Sequence, residues 1–478
     1  MVRQLWLILI LKPGGTLTLN ASDSVQLIGR SVGGYPSRLL TATTNSQNAG
    51  NLTINTGKLI VQDGAQISTG VYGAGNGGNL NVNASESVEL NGTNATNANY
   101  VSPSGLFSGS HGEGNAGDLI INTRKLIVRD GAQVSTVVFG AGNGGNLNVN
   151  ASESVELNGT NANNLPSGLF SSSLGIGNAG NLSIQTEKLS VRNGAEINVS
   201  SLGTGSAGNL QVATRSIRLD NQGKLLANSV AGNGGNITLR VQDLLLLQRN
   251  SQISAVSGTA QAGGNGGNFT LNIPDGFIVA TPNENSDIIT DAFTGRGGRI
   301  DIAAFGIFGM QVRYQEDLVR LLRTNDPSQL DPRRLPTNDI TSFSQTGPSF
   351  KETIEPDFTR VELPTNLVDA SKQIDTSCNP GSKQKASSFI ITGRGGLPRN
   401  PYDLLSPDTV LVDWVTLDPN IDNRKIPSVT TKPTTATSKP IVEATGWVIN
   451  AKREVELTTN ASTTPHGSWQ NPVSCRAS

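Results

Sequence analysis

Residues 74–95 read AGNGGNLNVNASESVELNGTNA, and the same letters return unchanged at residues 141–162. The offset is 67 residues. Gly50-Asn51-Leu52-Thr53-Ile54-Asn55 reappears at that offset as Gly117-Asp118-Leu119-Ile120-Ile121-Asn122, so a two-unit block has been duplicated. Outward from the block a shorter unit emerges, in which a small residue and a glycine precede a polar residue and alternating apolar positions. Its glycines stand at 15, 50, 78, 117, 145, 180, 208, 235, 267 and 298, spaced by 27 to 39 residues. The longer spacings carry inserts, such as Gly92 to Gly105 and Gly159 to Gly168. A fixed period with inserts at one place is the signature of stacked supersecondary units.

The unit from Asn51 to Gly78 shows what is stacked. Leu52-Thr53-Ile54 alternates apolar and polar, Leu59-Ile60-Val61 is a short apolar run, and Ala65 to Thr69 alternates again. Each segment is closed by Gly, Asn or Asp, which predicts three short strands per unit. No stretch of the array has helical spacing, and Asp63-Gly64, Asp130-Gly131 and Asn193-Gly194 are turn dipeptides, so helical solenoids are excluded. Strands this short bury little alone and must stack on copies of themselves. Stacking in register places Leu52 and Ile54 beside Leu80 and Val82, Leu119 and Ile121, Leu147 and Val149, Leu182 and Ile184, and Leu210 and Val212. The prediction is an all-β, right-handed parallel β-helix of about ten coils, on the order of 45 to 50 Å long at the strand spacing of about 4.8 Å. Gly77-Gly78, Gly144-Gly145, Gly234-Gly235 and Gly266-Gly267 are expected at corners with positive φ. The asparagines that follow, Asn79, Asn146, Asn181, Asn209, Asn236 and Asn268, are expected to form a hydrogen-bonded ladder.

Composition agrees and divides the chain. Of 478 residues 55 are glycine, and 46 of these precede residue 301, whereas 16 of the 22 prolines follow it. Three regions result: the repeat array over 1–300, a last irregular coil and cap with an inserted loop over 301–362, and a C-terminal segment over 363–478. Within the cap, Glu316 to Arg323 has the leucine spacing of a short helix, and an exposed β-helix end is a sheet edge that must be covered. A net charge of −1 gives no electrostatic case for nucleic acid, and no apolar run reaches the length of a membrane-spanning helix. The opening MVRQLWLILIL is too short an apolar run for a signal peptide, and it predicts that the chain begins inside a longer array.

Several motifs imitate chemistry. Gly73 to Gly78 fits G-x-G-x-x-G, but a strand follows where a dinucleotide site needs a helix. The calcium-binding β-roll repeat is nine residues long with aspartate where this chain has Asn79. Glu86 and Glu89, with copies Glu153 and Glu156, lie beside short strands and read as surface charge. His111 and His466 have no metal or triad spacing, so neither a cofactor nor a catalytic residue is expected.

From Val361 the chain reads VELPTNLVDASKQIDTSC, then SSFIITGRGGLPRNPYDLLSPDTVLVDWVTL, then IVEATGWVINAKREVELTT before PVSC. With the repeat units, these segments resemble the filamentous haemagglutinin-like exoproteins of two-partner secretion systems, in their cyanobacterial form. The resemblance implies a β-helical adhesin, exported through a dedicated outer-membrane β-barrel transporter and secreted or held on the outer cell surface. That family carries an N-terminal secretion domain, which this sequence lacks. An oxidising exterior permits a disulfide between Cys378 and Cys475, with two free thiols as the alternative. Lys425 to Pro440 reads as a flexible linker or exposed loop.

The functional expectation is a non-enzymatic rod that presents loops for attachment to cells, matrix or surfaces. Variability concentrates in the stretches Ala95 to Ser110 and Ala162 to Ser173, and the residues singled out for recognition are Tyr100, Pro103, Leu106 and Phe107 in the first and Pro166, Leu169 and Phe170 in the second. The rivals are a polysaccharide-active β-helix enzyme, which predicts a non-repeated acidic and basic cluster on one face, and a non-functional fragment of a longer exoprotein.

Overall fold

A computed structural model describes residues 15–29, 36–44, 46–97, 100–259 and 262–346, and the backbone of Gly446–Ile449 and Val455–Thr458. The chain divides into two compact units, Met1–Thr365 and Asn366–Ser478; in the second, Gly446–Ile449 pairs antiparallel with Val455–Thr458. The opening apolar run, Cys378, Cys475, His466 and the stretch 425–440 lie outside the described residues. No helix among the described residues is long and apolar enough to cross a membrane.

The first unit is a parallel β-helix. One sheet stacks a long strand from each of ten coils: Leu17–Asn20 with Ser24–Ile28 in the first, then Leu52–Gln62, Leu80–Asn91, Leu119–Arg129, Leu147–Asn158, Leu182–Arg192, Leu210–Asp220, Ile237–Leu247, Phe269–Ala280 and Ile300–Phe308. A second sheet stacks the short strands, from Arg38–Thr43 and Gln66–Val71 onward. The ten expected anchors match these ten coils one for one. The strand count per coil differs from expectation. The first two apolar runs of each unit form one continuous strand from the second coil on, because the bend between them is absorbed by a bulge, as at Thr56/Lys58, where one residue opposes two of the next coil.

Registry builds the core. Leu52, Leu80, Leu119, Leu147, Leu182, Leu210, Ile237, Phe269 and Ile300 form one column, and each is essentially inaccessible to water. The short-strand sheet supplies another, from Ile67 through Leu106, Val134, Leu169, Ile197, Leu225, Ile253 and Ile288 to Ile340. Burial of each such side chain contributes roughly 1.5–3 kcal/mol, and only when a coil lies on either side.

The turn dipeptides behave as read: Asp63 and Gly64 have φ of 55° and 82°, Asp130 and Gly131 57° and 84°, Asn193 and Gly194 57° and 81°. The corner glycines do not. None of the pairs from Gly77-Gly78 to Gly266-Gly267 has positive φ. They are required by close approach instead: a Cβ on Gly78 would stand 2.0 Å from the Gly50 carbonyl oxygen, and one on Gly145 2.0 Å from that of Gly117. The third side of each coil is therefore a wall of stacked glycine backbone.

Buried hydroxyls tie the short-strand sheet to this wall. Thr41, Thr69, Ser108 and Thr136 donate to the carbonyls of Gly50, Gly78, Gly117 and Gly145 at 2.6–2.8 Å. In later coils Val199, Ala227 and Ala255 take that position, and the N–H groups of Gly208, Gly235 and Gly267 donate to their carbonyls at 2.7–2.8 Å.

At the C-terminal end chain order and spatial order part. After Ile300–Phe308 the chain forms Gln311–Arg313, the helix Gln315–Leu322 with Leu318 buried, and two short 3-10 turns. Asp339–Thr341 then inserts between Gln311–Arg313 and Asp287–Ile289 of the ninth coil, parallel to both. Two buried aspartates fasten it: Asp287 accepts from the Asp339 N–H at 2.8 Å, and Asp291 from the Phe343 N–H at 3.0 Å and the Thr341 hydroxyl at 2.9 Å. Burial pushes both carboxyls up to about 7.

Candidate binding surfaces

The inserts leave the coil between the two sheets. In the first, Thr93–Asn97 and Tyr100–Pro103 pair as an antiparallel hairpin. In the second, Asn161 closes a turn by accepting from the Asn163 and Leu165 N–H groups at 2.9 and 2.8 Å. Tyr100 belongs to the hairpin, and Pro103 and Pro166 are half-buried at its base and at the base of the turn. The other residues expected on these loops are not there. Leu106 and Phe107 lie in the strand Gly105–Ser110, and Leu169 and Phe170 in Gly168–Phe170. Leu106 and Leu169 are fully buried and Phe170 is buried, because both segments register with Gln133–Ser135 and continue the core column. These residues build the coil, and Leu106, Leu169 and Phe170 are buried in it rather than displayed on a loop.

Exposed apolar surface lies elsewhere. Immediately after the second sheet each coil turns outward, and the residue at that turn is Tyr72, His111, Phe139, Leu174, Leu202 and Val230 in successive coils. All six are exposed, Tyr72 at 53% and Leu202 at 60%. The rings of Tyr72, His111 and Phe139 stack with centroids 4.7 and 4.5 Å apart, and burial in that stack holds the His111 imidazole below its usual range. At about 4.8 Å per coil the ridge is about 24 Å long. Its signal was present in the sequence as the large residue before Gly73, Gly112, Gly140, Gly175 and Gly203, but it shows only when the units are aligned on those glycines.

Beside the ridge runs the glycine wall with two amide columns. The N–H of each residue in the series Asn79, Asp118, Asn146, Asn181, Asn209, Asn236, Asn268 and Arg299 donates to the side-chain oxygen one coil below, starting at Asn51, at 2.8–3.1 Å. A parallel column starts at Asn48 and runs through Asn76, Asn115, Asn143 and Asn178. The expected ladder exists, with side chain to backbone as its principal bond. It supplies the backbone N–H groups that no strand partner reaches.

A third feature is a groove of about 960 Å³ on the outer face of the long-strand sheet, along the line of bulges through the fourth to ninth coils. Its floor includes the buried Ala151, Thr186 and Thr214. Along one column Asn55, Asn83, Asn122 and Asn150 each donate an amide N–H to the oxygen of the coil below, at 2.8–2.9 Å beyond the 2.7 Å bond from Asn55 to Asn20. That ladder ends inside the groove, where Gln185, Ala213, Arg240 and Asn272 follow. On the same face Arg215 joins Glu187 and Asp243, both at 3.2 Å. No non-repeated charged cluster is visible in the linear sequence; folding assembles one from single residues of the sixth, seventh and eighth coils. The duplicated carboxylates stay outside it and pair across coils, Glu86 with Lys58 at 3.3 Å and Glu153 with Lys125 at 2.7 Å.

Comparison with protein-family models, curated proteins and solved structures gives no match.

Proposed function

We propose that this chain is a non-catalytic adhesive rod, secreted or held at the outer surface of a Gram-negative cell and exported by an outer-membrane β-barrel partner. The observation that carries the reading is the ridge from Tyr72 to Val230. Five exposed apolar side chains and the His111 imidazole stand in one line across six successive coils, whereas the other exposed apolar groups, such as Ile176 and the cluster of Phe277, Phe305 and Phe308, form no such row. Contiguous apolar surface of this kind marks a contact site. The resemblance of the repeats and C-terminal segments to haemagglutinin-like exoproteins supports the assignment to a surface. The triple variant Tyr72→Ser, Phe139→Ser, Leu202→Ser touches no core column, so it should fold and lose attachment to cells or matrix. Attachment equal to that of the native chain would remove the ridge as the contact.

The groove favours one second reading, a polysaccharide-cleaving enzyme using Glu187 and Asp243. Both carboxylates are more than half exposed and tied to one guanidinium, an arrangement that differs from the buried acid of glycoside hydrolysis. Release of reducing ends from neutral or acidic polysaccharides by the purified chain, lost in Glu187→Gln, would establish it.

A further inference from the structure

We propose that the groove along the fourth to ninth coils binds an extended, uncharged glycan strand lying parallel to the rod. The inference rests on the adhesive reading and gives it a ligand class. The first argument is hydrogen-bonding capacity. Below the groove the amide column satisfies itself coil by coil, but from Gln185 onward it does not. The side chains of Gln185, Arg240 and Asn272 line the groove, and none has a hydrogen-bond or ion-pair partner among the described residues. Amides and a guanidinium left free in one line offer donors and acceptors at intervals of two strand spacings, across Ala213, and then one.

The second argument is charge. The lining carries two guanidinium groups, Arg215 and Arg240, against three carboxylates, Glu187, Asp243 and Asp275. A polyanion gains nothing from such a surface, and a polycation would find Arg215 already engaged with two of the carboxylates. The third argument is shape. The groove is shallow and shared by six coils, about 24 Å along the axis, so it accepts a chain laid along it rather than a small molecule, which needs enclosure. An extended peptide would need a free strand edge, and each long strand of these coils is paired on both sides. A hydroxyl-rich polymer meets all three conditions.

The test is calorimetric titration of the full chain with cello-, laminari- and manno-oligosaccharides of increasing length, with polygalacturonate for comparison. Affinity for at least one neutral series should rise with length and level off when the sugar spans the groove. Arg240→Ala should weaken binding about tenfold, and Ala213→Trp, which fills the groove while keeping its polar groups, should abolish it. Absence of binding across the neutral series, binding that Ala213→Trp leaves intact, or salt-sensitive preference for polygalacturonate would each overturn the proposal. The ridge is untouched by Ala213→Trp, so attachment that persists in this variant separates failure of the groove from failure of the adhesive reading.

Discussion

The second to fifth coils and the sixth to ninth share their core columns and glycine wall and differ in the polar groups around them. In the earlier coils duplicated sequence places like on like: asparagine bonds to asparagine along the outer face, and Thr69, Ser108 and Thr136 reach the glycine wall with hydroxyls. In the sixth to eighth coils Val199, Ala227 and Ala255 replace the hydroxyls, and Gln185, Ala213 and Arg240 replace the asparagines; the ninth coil returns to Thr290 and Asn272. The contrast separates two uses of a repeat. Identity between neighbours consumes polar groups in ladders, and divergence releases them for a ligand. Whatever cannot diverge, the core columns and the glycine wall, is common to both halves.

The largest test of that contrast asks whether the common part is equally strict in both halves. A Cβ on Gly145 or Gly208 would lie 2.0 or 1.8 Å from the carbonyl oxygen below, so Gly145→Ala and Gly208→Ala should each cost about 3 kcal/mol or more. Denaturant unfolding that showed either variant near native stability would break the claim of a shared wall. Next in size, Leu147→Ala and Leu210→Ala occupy one core column and should lose about 2–5 kcal/mol each, by the same measurement.

A third test concerns the end of the later half, where Asp287 and Asp291 hold the inserted strand. Their carboxyls rise from 3.8 to about 7 on folding, so within that window the folded state keeps protons that the unfolded state has lost. Stability of the cap should be greatest below the window and fall as pH rises through about 7. Protection factors at Asp339 to Phe343, which already correct for the intrinsic rise of exchange with pH, should be lower at pH 8 than at pH 5, and Asp291→Asn should reduce that difference. The smallest effect sharpens the contrast itself: Asn122→Ala removes the acceptor of the Asn150 amide and the donor to Asn83 and should cost roughly 1 kcal/mol, whereas Gln185→Ala, next but one in the same outer-face column, should change stability by less than about 0.5 kcal/mol. Equal losses would mean that the later column is engaged as the earlier one is.

Much of this was legible in the letters. Alternation at Leu52-Thr53-Ile54 and the recurring glycines gave the coil, its number and its core columns, because a strand's period and a repeat's length are local properties. The Pro-Ser-Gly-Leu-Phe steps misled, since an insert's last residues and a strand's first look alike until Leu106 and Leu169 are seen in register with Val134. The insertion of Asp339–Thr341 ahead of Gln311–Arg313 was equally invisible, because pairing order need not follow chain order where an excursion separates two strands.

By itself the sequence determined a parallel stack of ten coils with glycine at fixed places, since only stacking buries apolar runs so short. Tertiary structure alone decided why those glycines are needed, which side chains form the ridge and where the free polar groups lie. Each of these depends on what stands one coil away, at a distance of 27 to 39 residues in the chain but about 4.8 Å in space.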